Sequence, residues 1–360
     1  MDTLVAQEGR MANTTSSSKK RKRPKIGIGG YFGYGNYGDE LFLEVFKEHL
    51  GRDFELEVLP NRLDKPYFAQ AAEDRVDGVD AVLIGGGDLV QPWSIDPRYF
   101  HSAYLRKNVF LAGLGVPIRA GQSAQVEKPH IIERYKKFFG HPNVRFINVR
   151  DKQSADWVEG KLNPAAKVIE SPDLVCGLTL PRVHRDPANP ILGIVTRHRP
   201  GHELEDDYSR IEQLGAYAIS EGWAVRHIIL GSGLIGERDV VNAERVKIPG
   251  KSVIHTEDLW EMTRAIGECS ALASMKFHGT VVATMYGIPS MVLVPTSKNR
   301  NFMRRMGRDD LLSRFDAEDL VDRFRPFPAA IDPDWVTRLR NGAVDMLDKL
   351  RDAISKRVAP

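Results

Sequence analysis

From Lys25 onward the chain repeats one pattern: a short apolar run, a glycine-rich or polar turn, then a stretch of helical period. Runs of four to six apolar residues separated by helices are the signature of parallel sheets buried on both faces. The spacing predicts strands at Lys25–Ile28, Phe54–Leu59, Ala81–Ile84, Val109–Ala112 and Arg145–Val149. After the proline-rich stretch Pro181 to Pro190 a second series follows at Ile191–Val195, Ala224–Leu230, Ser252–His255, Ala271–Ala273 and Ser290–Val294. A chain of 360 residues is too long for one ordinary core. The expected fold is therefore α/β, with two Rossmann-like doubly wound domains facing across a cleft. The expected boundaries are a tail 1–24, domains 25–182 and 183–330, and an amphipathic helix in 331–360, where Val336, Leu339, Val344, Leu347, Leu350 and Ile354 recur at near-helical spacing.

Composition removes several classes. With 42% hydrophobic and 28% charged residues the chain reads as globular and soluble, with no apolar run near the ~20 residues that span a bilayer. No apolar segment follows the N-terminal charges as in a secretory signal. Two cysteines, Cys176 and Cys269, give neither a disulfide framework nor a metal site and fit a cytoplasmic location. The net charge of +3 hides a cluster: Lys19, Lys20, Arg21, Lys22, Arg23 and Lys25 carry six positives, and without them the chain stands at about −3. The body is therefore not expected to bind nucleic acid. The basic cluster follows Thr14-Thr15-Ser16-Ser17-Ser18 and reads as a disordered tail, passive, held near an anionic inner membrane face, or serving as a nuclear-import or nucleic-acid patch.

The glycine turns fall at strand ends, where open α/β sheets bind ligands. Gly33-Tyr34-Gly35-Asn36-Tyr37-Gly38 is a literal G-x-G-x-x-G between a strand and a helix. A dinucleotide is nevertheless disfavoured, because Asp39 and Glu40 occupy the first turn of the following helix and would repel a pyrophosphate. The same loop brings backbone close to a ligand through Gly35, and Asn36 and Asp39 offer hydrogen bonds to sugar hydroxyls. Asp39 as a helix cap is the structural alternative. Gly85-Gly86-Gly87-Asp88 and Gly113-Leu114-Gly115-Val116-Pro117 make two further close approaches. Arg150 and Arg197 end predicted strands and suit a carboxylate or phosphate, with a local pair to Asp151 as the alternative for Arg150. Lys298 and Arg300 either close over an anion or are solvated.

Ser274-Met275-Lys276-Phe277-His278-Gly279 puts a cation and an imidazole between an apolar strand and a helix expected over Thr280 to Tyr286. A helix N-terminus with Lys276 and His278 beside it is a natural anion seat, with a loop lysine and a core histidine bonded to backbone as the structural alternative.

Taken in order, Gly33 to Glu40, Gly85 to Asp88, Val149-Arg150-Asp151-x-x-Ser154, and Ser274-x-Lys276-Phe277-His278-Gly279 with Ala283 and Gly287-x-Pro289 resemble the polysaccharide pyruvyl transferase family, from about Lys25 to Gly307. The resemblance implies a fold similar to GT-B glycosyltransferases. It also implies transfer of the carboxyethylidene group of phosphoenolpyruvate onto two hydroxyls of a sugar in a cell-envelope or exported glycan. On that reading Arg150, Arg197, Lys276, Phe277, His278 and Gly279 hold phosphoenolpyruvate, and Gly35, Asn36, Asp39, Gly86, Gly87 and Asp88 hold the acceptor. His278 serves as proton donor or phosphate ligand, and Asp39, with Asp88 second, as base. No metal and no cofactor beyond the donor is expected. Partners would be phosphoenolpyruvate and a free or lipid-linked glycan, with peripheral contact to anionic membrane. The alternatives are a nucleotide-sugar-dependent GT-B glycosyltransferase and a non-catalytic glycan-binding protein.

Overall fold

The computed structural model of the chain describes residues 23–59, 76–118, 126–199, 201–202 and 206–358. Most of the basic tail lies outside the described residues. Six parallel strands form the first sheet: β1 (Lys25–Gly29), β2 (Glu55–Val58), β3 (Ala81–Gly85), β4 (Asn108–Leu114), β5 (Val144–Val149) and β6 (Val168–Glu170), in the order β2-β1-β3-β4-β5-β6. Five form the second: β7 (Ile191–Val195), β8 (Ala224–Ile228), β9 (Ser252–Ile254), β10 (Ala271–Ser274) and β11 (Ser290–Val292), in the order β11-β10-β7-β8-β9, again all parallel. The expected strands are present within a few residues. Strand β6 was not anticipated, since three residues are too few to show a period.

Alternation across the pleat explains the continuous apolar runs. Ala81 and Leu83 of β3, with Phe110 and Ala112 of β4, face one core, while Val82, Ile84, Val109 and Leu111 face another. Helices α2 (Pro129–Phe139) and α3 (Lys152–Leu162) close the second core with Tyr135, Phe139 and Trp157. The first core is covered by α1 (Tyr37–Leu50), whose Leu41, Phe42, Val45 and Phe46 are fully buried. Deleting a ring such as Phe42 from that packing costs about 3–5 kcal/mol.

The second sheet is flanked by α4 (Ser209–Ser220), α5 (Gly233–Arg245), α6 (Leu259–Gly267), α7 (Phe277–Met285) and α8 (Ser297–Arg305), followed by the short α9 (Leu320–Arg323). Helix α7 begins three residues before the expected start, so His278 lies in its first turn. The reason is local: Ser274 Oγ accepts from the Lys276 amide at 3.1 Å and donates to the Lys276 carbonyl at 2.8 Å, turning the chain directly from β10 into the helix. The final helix, α10 (Pro333–Val358), buries Leu339, Ala343, Met346, Leu347, Leu350 and Ile354 and packs back on the first lobe, against β4, β5, α1 and the turn Leu174–Gly177.

Strand order locates the crevices. In the first sheet the chain leaves β1 to β2 on one side and returns to β3 on the other, and in the second β7 has β8 and β10 on opposite sides. Such switch points leave a gap beyond the strand ends. Helix α1 sits where the two lobes meet, its Tyr37 hydroxyl within 2.9 Å of Thr263 Oγ1 on α6.

Candidate active site

The two switch points open into one cleft. On the first-lobe side, a cavity of about 330 Å³ is lined by Asn36, Asp39, Gly87 and Asp88, and further out by Tyr31, Gln91, Ser94, Asp96, Arg98 and Tyr99. On the second-lobe side, a cavity of about 130 Å³ is lined by Arg197, Lys276, Phe277, Thr296 and Asn299. Asn36, His278 and Lys298 border both. One side is thus rich in carboxylates and amides and the other in cations, with an imidazole at the junction.

His278 is held on three sides. A buried carboxylate, Asp173, stands with Oδ2 3.5 Å from Nε2, and the ring meets Phe42 edge-on at 5.6 Å between centroids. The third contact is the backbone of α1, where only a glycine fits: a Cβ on Gly38 would fall 1.7 Å from Nδ1. Burial alone would raise the Asp173 carboxyl, but the neighbouring His278 and Arg150 and the Val175 amide hold it below its ordinary value. Asp173 is therefore an anion beside the imidazole, fixed by a 3.0 Å bond from the Val175 amide. It escaped the sequence analysis because the strand that precedes Ser171-Pro172-Asp173, β6, is only three residues long and leaves no pattern to read.

Asp39, in the first turn of α1, is 8% exposed and pushed up to about 7. Burial is the main cause, with Glu40 and Asp88 adding, while Lys298 and the Asn36 amide oppose it. Its neighbour Glu40 is the carboxylate that serves the glycine loop, accepting from the amides of Gly33 at 2.8 Å and Gly35 at 3.2 Å. Burial works against the charge of Asp88 as well, but Arg150 and Lys298 outweigh it and hold that carboxyl below its ordinary range. Two carboxyl groups of one cavity wall are thus driven in opposite directions, the condition under which one carries a proton near neutrality and the other does not.

Lys298 comes from α8 of the second lobe and reaches Asp88 of the first at 2.9 Å. Arg150 pairs with Asp88 from behind, lies 3.9 Å from Asp151, and is 5% exposed. Its guanidinium and the Lys298 ammonium both sit over the Phe277 ring, at 5.3 and 5.4 Å. Lys276 stands immediately before the first residue of α7, pairs with Asp239 of α5 and donates to the Leu230 carbonyl at 2.6 Å. Burial lowers its pKa, with Arg197 adding and Asp239 opposing.

Of the residues anticipated from sequence, Asn36, Asp39, Gly87, Asp88, Arg197, Lys276, Phe277 and His278 line the two cavities. Four do not. Arg150 is turned away from both, because three aspartates, Asp88, Asp151 and Asp173, draw its charge behind the wall. Gly86 abuts Phe42, Gly279 packs on Ser274 and Leu230, and Gly35 meets Ser232 of the second lobe, whose amide donates to the Gly35 carbonyl at 2.9 Å. These three glycines permit close packing at positions outside the two cavities. Arg300 bonds the Pro295 carbonyl, and Lys298 is the cation of that pair that enters the cleft.

Two parallel sheets with switch points facing one cleft define a GT-B-like α/β protein. Solved structures bear out that class. The S. aureus MnaA–UDP complex is similar with a TM-score of 0.58 at 11% identity, covering 92% of this chain and 96% of that one. The UDP-GlcNAc 2-epimerase of Neisseria meningitidis bound to UDP-GlcNAc gives 0.53 at 10%, covering 92% and 99%, and the glycosyltransferase of kitacinnamycin 0.51 at 13%, covering 94% and 100%. At such identities the likeness is one of fold. The sequence model for polysaccharide pyruvyl transferases matches residues 36–297, and the chain belongs to that family. No curated protein matches the sequence significantly. Among the described residues no helix is long and apolar enough to cross a membrane.

Proposed function

We propose that the protein transfers the carboxyethylidene group of phosphoenolpyruvate to two hydroxyls of a sugar in a cell-envelope or exported glycan, releasing phosphate and forming a cyclic ketal. The observation that carries this reading is the junction at His278: a cavity bordered by Arg197, Lys276 and Lys298 meets a cavity bordered by Asn36, Asp39 and Asp88, with the imidazole touching both. A small polyanion suits the first and a polyol the second. The first-turn amides of α7, which have no intrahelical partner, add to the anion's side.

In this scheme a proton is added to the methylene carbon of phosphoenolpyruvate, which becomes a methyl group, and positive character develops at the carbon bearing phosphate. One sugar hydroxyl attacks that carbon, the C–O bond to phosphate breaks, and the second hydroxyl closes the ring. Of the two hydroxyl protons, one replaces that spent on the methylene carbon and the other leaves with phosphate. His278, backed by the anionic Asp173, is suited to deliver the first proton. Asp39, poised near neutrality, is suited to accept from a sugar hydroxyl. Arg197 and Lys298 oppose the charge of the donor. Arg150 acts through Asp88, whose position it fixes.

The direct experiment measures inorganic phosphate released from phosphoenolpyruvate with galactose-, glucose- and mannose-containing acceptors, free and lipid-linked. Absence of release with every acceptor overturns the reading. A second reading, nucleotide-sugar-dependent glycosyl transfer, is favoured by the UDP and UDP-GlcNAc complexes among the structural neighbours. Thermal shift with phosphoenolpyruvate against a panel of nucleotide sugars separates the two. For the tail, we infer that residues 1–22 hold the enzyme near anionic lipid at the inner membrane face, at ~1 kcal/mol per basic residue. Deleting them should slow turnover of lipid-linked acceptor and leave soluble acceptor unaffected.

A further inference from the structure

The larger cavity continues past Asp39 into a region that the scheme above leaves unused. There Tyr31 stacks on Tyr34, with ring centroids 4.1 Å apart and planes within 6°. The Tyr34 hydroxyl accepts from Arg98 Nη1 at 2.6 Å, and Arg98 is locked in turn on Asp96, donating from Nε at 3.0 and 2.9 Å to the two carboxylate oxygens. The backbone of this stretch is pinned as well: the Tyr104 hydroxyl donates to the Arg98 carbonyl at 2.8 Å, and the Tyr135 hydroxyl to the Ser94 carbonyl at 3.0 Å. The aromatic surface is therefore preorganised. Among the described residues that border this end the cation, Arg98, is neutralised by Asp96, so this end carries little net charge.

One group here is incomplete. Tyr99 borders the cavity and is only 5% exposed, yet its hydroxyl is buried without a hydrogen-bond partner. Arg98 covers one face of its ring at 5.3 Å. Buried hydroxyls are almost always paired, and an orphan in a cavity wall marks where a ligand's polar group belongs. A flat aromatic surface beside a waiting hydroxyl, with no net charge, matches a pyranose: C–H groups on one face, hydroxyls around the edge.

We propose that the Tyr31–Tyr99 end of the cavity is a subsite for a neutral hexopyranose, with the apolar face of the sugar on Tyr31 and one of its hydroxyls bonded to Tyr99, which makes Tyr99 a specificity-determining residue. The proposal deepens the functional reading above and rests on it only for the reaction that the bound sugar undergoes. A site built to pair a hydroxyl discriminates strongly against an analogue without it.

The test uses the full chain and separates sugar from donor. Binding of methyl β-galactoside, β-glucoside and β-mannoside is followed by saturation-transfer NMR, and that of phosphoenolpyruvate by calorimetry, for wild type, Tyr31→Ala and Tyr99→Phe. At least one glycoside binds the wild type. Tyr99→Phe weakens it about three- to tenfold, as expected for one lost hydrogen bond, Tyr31→Ala by at least as much, and donor affinity stays within about twofold. Among deoxy analogues of the bound sugar, one loses affinity for wild type and loses nothing further in Tyr99→Phe, which identifies the paired hydroxyl. No glycoside binding to wild type, or equal affinity in Tyr99→Phe, overturns the subsite. If the glycoside pattern holds while phosphoenolpyruvate does not bind, the subsite stands and the pyruvyl-donor reading falls. The reverse pattern removes the subsite and keeps the donor.

Discussion

A Cβ atom on Gly38 would lie 1.7 Å from Nδ1 of His278, so the last glycine of the G-x-G-x-x-G stretch is there to admit an imidazole from the other lobe. The motif that in another context cradles a pyrophosphate here sets the distance between helix and imidazole ring.

Gly38→Ala should therefore lower kcat by about 10²-fold, the usual penalty of an ångström-scale misplacement. Alanine is otherwise the better helix former, so far-UV circular dichroism should show α1 intact. A variant with wild-type turnover would mean that the ring position is irrelevant to the reaction.

His278→Ala should remove about 10²–10⁴-fold of the rate if the imidazole transfers the proton. Asp173→Asn should keep the ring in place and cost less than His278→Ala, because it removes the charge that stabilises imidazolium but not the acid itself. Steady-state kinetics on both variants, with melting curves as a folding control, checks the order.

Asp39 links activity to stability. Its carboxyl ionises near 3.8 when unfolded and near 7 when folded, so its contribution to stability is intact below pH 4 and is lost as pH rises to 7. Asp39→Asn should leave melting unchanged at pH 4 and raise the melting temperature by roughly a few degrees at pH 8, while abolishing the rising limb of the pH–rate profile near 7. Lys298→Met should move that limb to higher pH, since the ammonium opposes the effect of burial on Asp39. Profiles of kcat/KM from pH 5 to 9 test both.

The two arginines should separate. Arg197→Ala is expected to weaken phosphoenolpyruvate binding by about 1.5–3 kcal/mol, the worth of a charge-assisted contact, with little change in melting. Arg150→Met leaves Asp88, Asp151 and Asp173 without their buried counter-charge, and should cost about 3–5 kcal/mol of stability before any effect on the donor is measured. Equal effects of the two changes on donor affinity, at equal stability, would contradict this division.

The architecture was legible because central strands such as β3, β4 and β7 are near-continuous apolar runs, and the strand-end glycines marked the crevice. The G-x-G-x-x-G loop, Asp88 and the Lys276–His278 segment were legible for the same reason, since chemistry concentrated at strand ends leaves a local trace. Asp173, Tyr31 and Tyr99 were not found because their roles depend on contacts made only after folding. Arg150 shows the limit most clearly: its neighbour in sequence is Asp151, but its closest carboxylate is Asp88, brought in from another strand. The start of α7 was missed because Phe, His and Gly at Phe277, His278 and Gly279 are poor helix formers and no side chain caps the helix.

The return of α10 to the first lobe has a topological consequence. The chain passes between the lobes twice, once after Leu178 and once before Pro333, so the second lobe is a continuous insertion and the first is assembled from both ends of the chain. Gly177 lies against Ala343 and Leu347, and Pro172 against Gly342, so residues of α10 help to seat the segment that carries Asp173. The aspartate behind the imidazole is thus seated by contacts that join two stretches of chain lying on either side of the whole second lobe. Lys298 and Asp88 therefore meet across a junction that two covalent connections hold together rather than one.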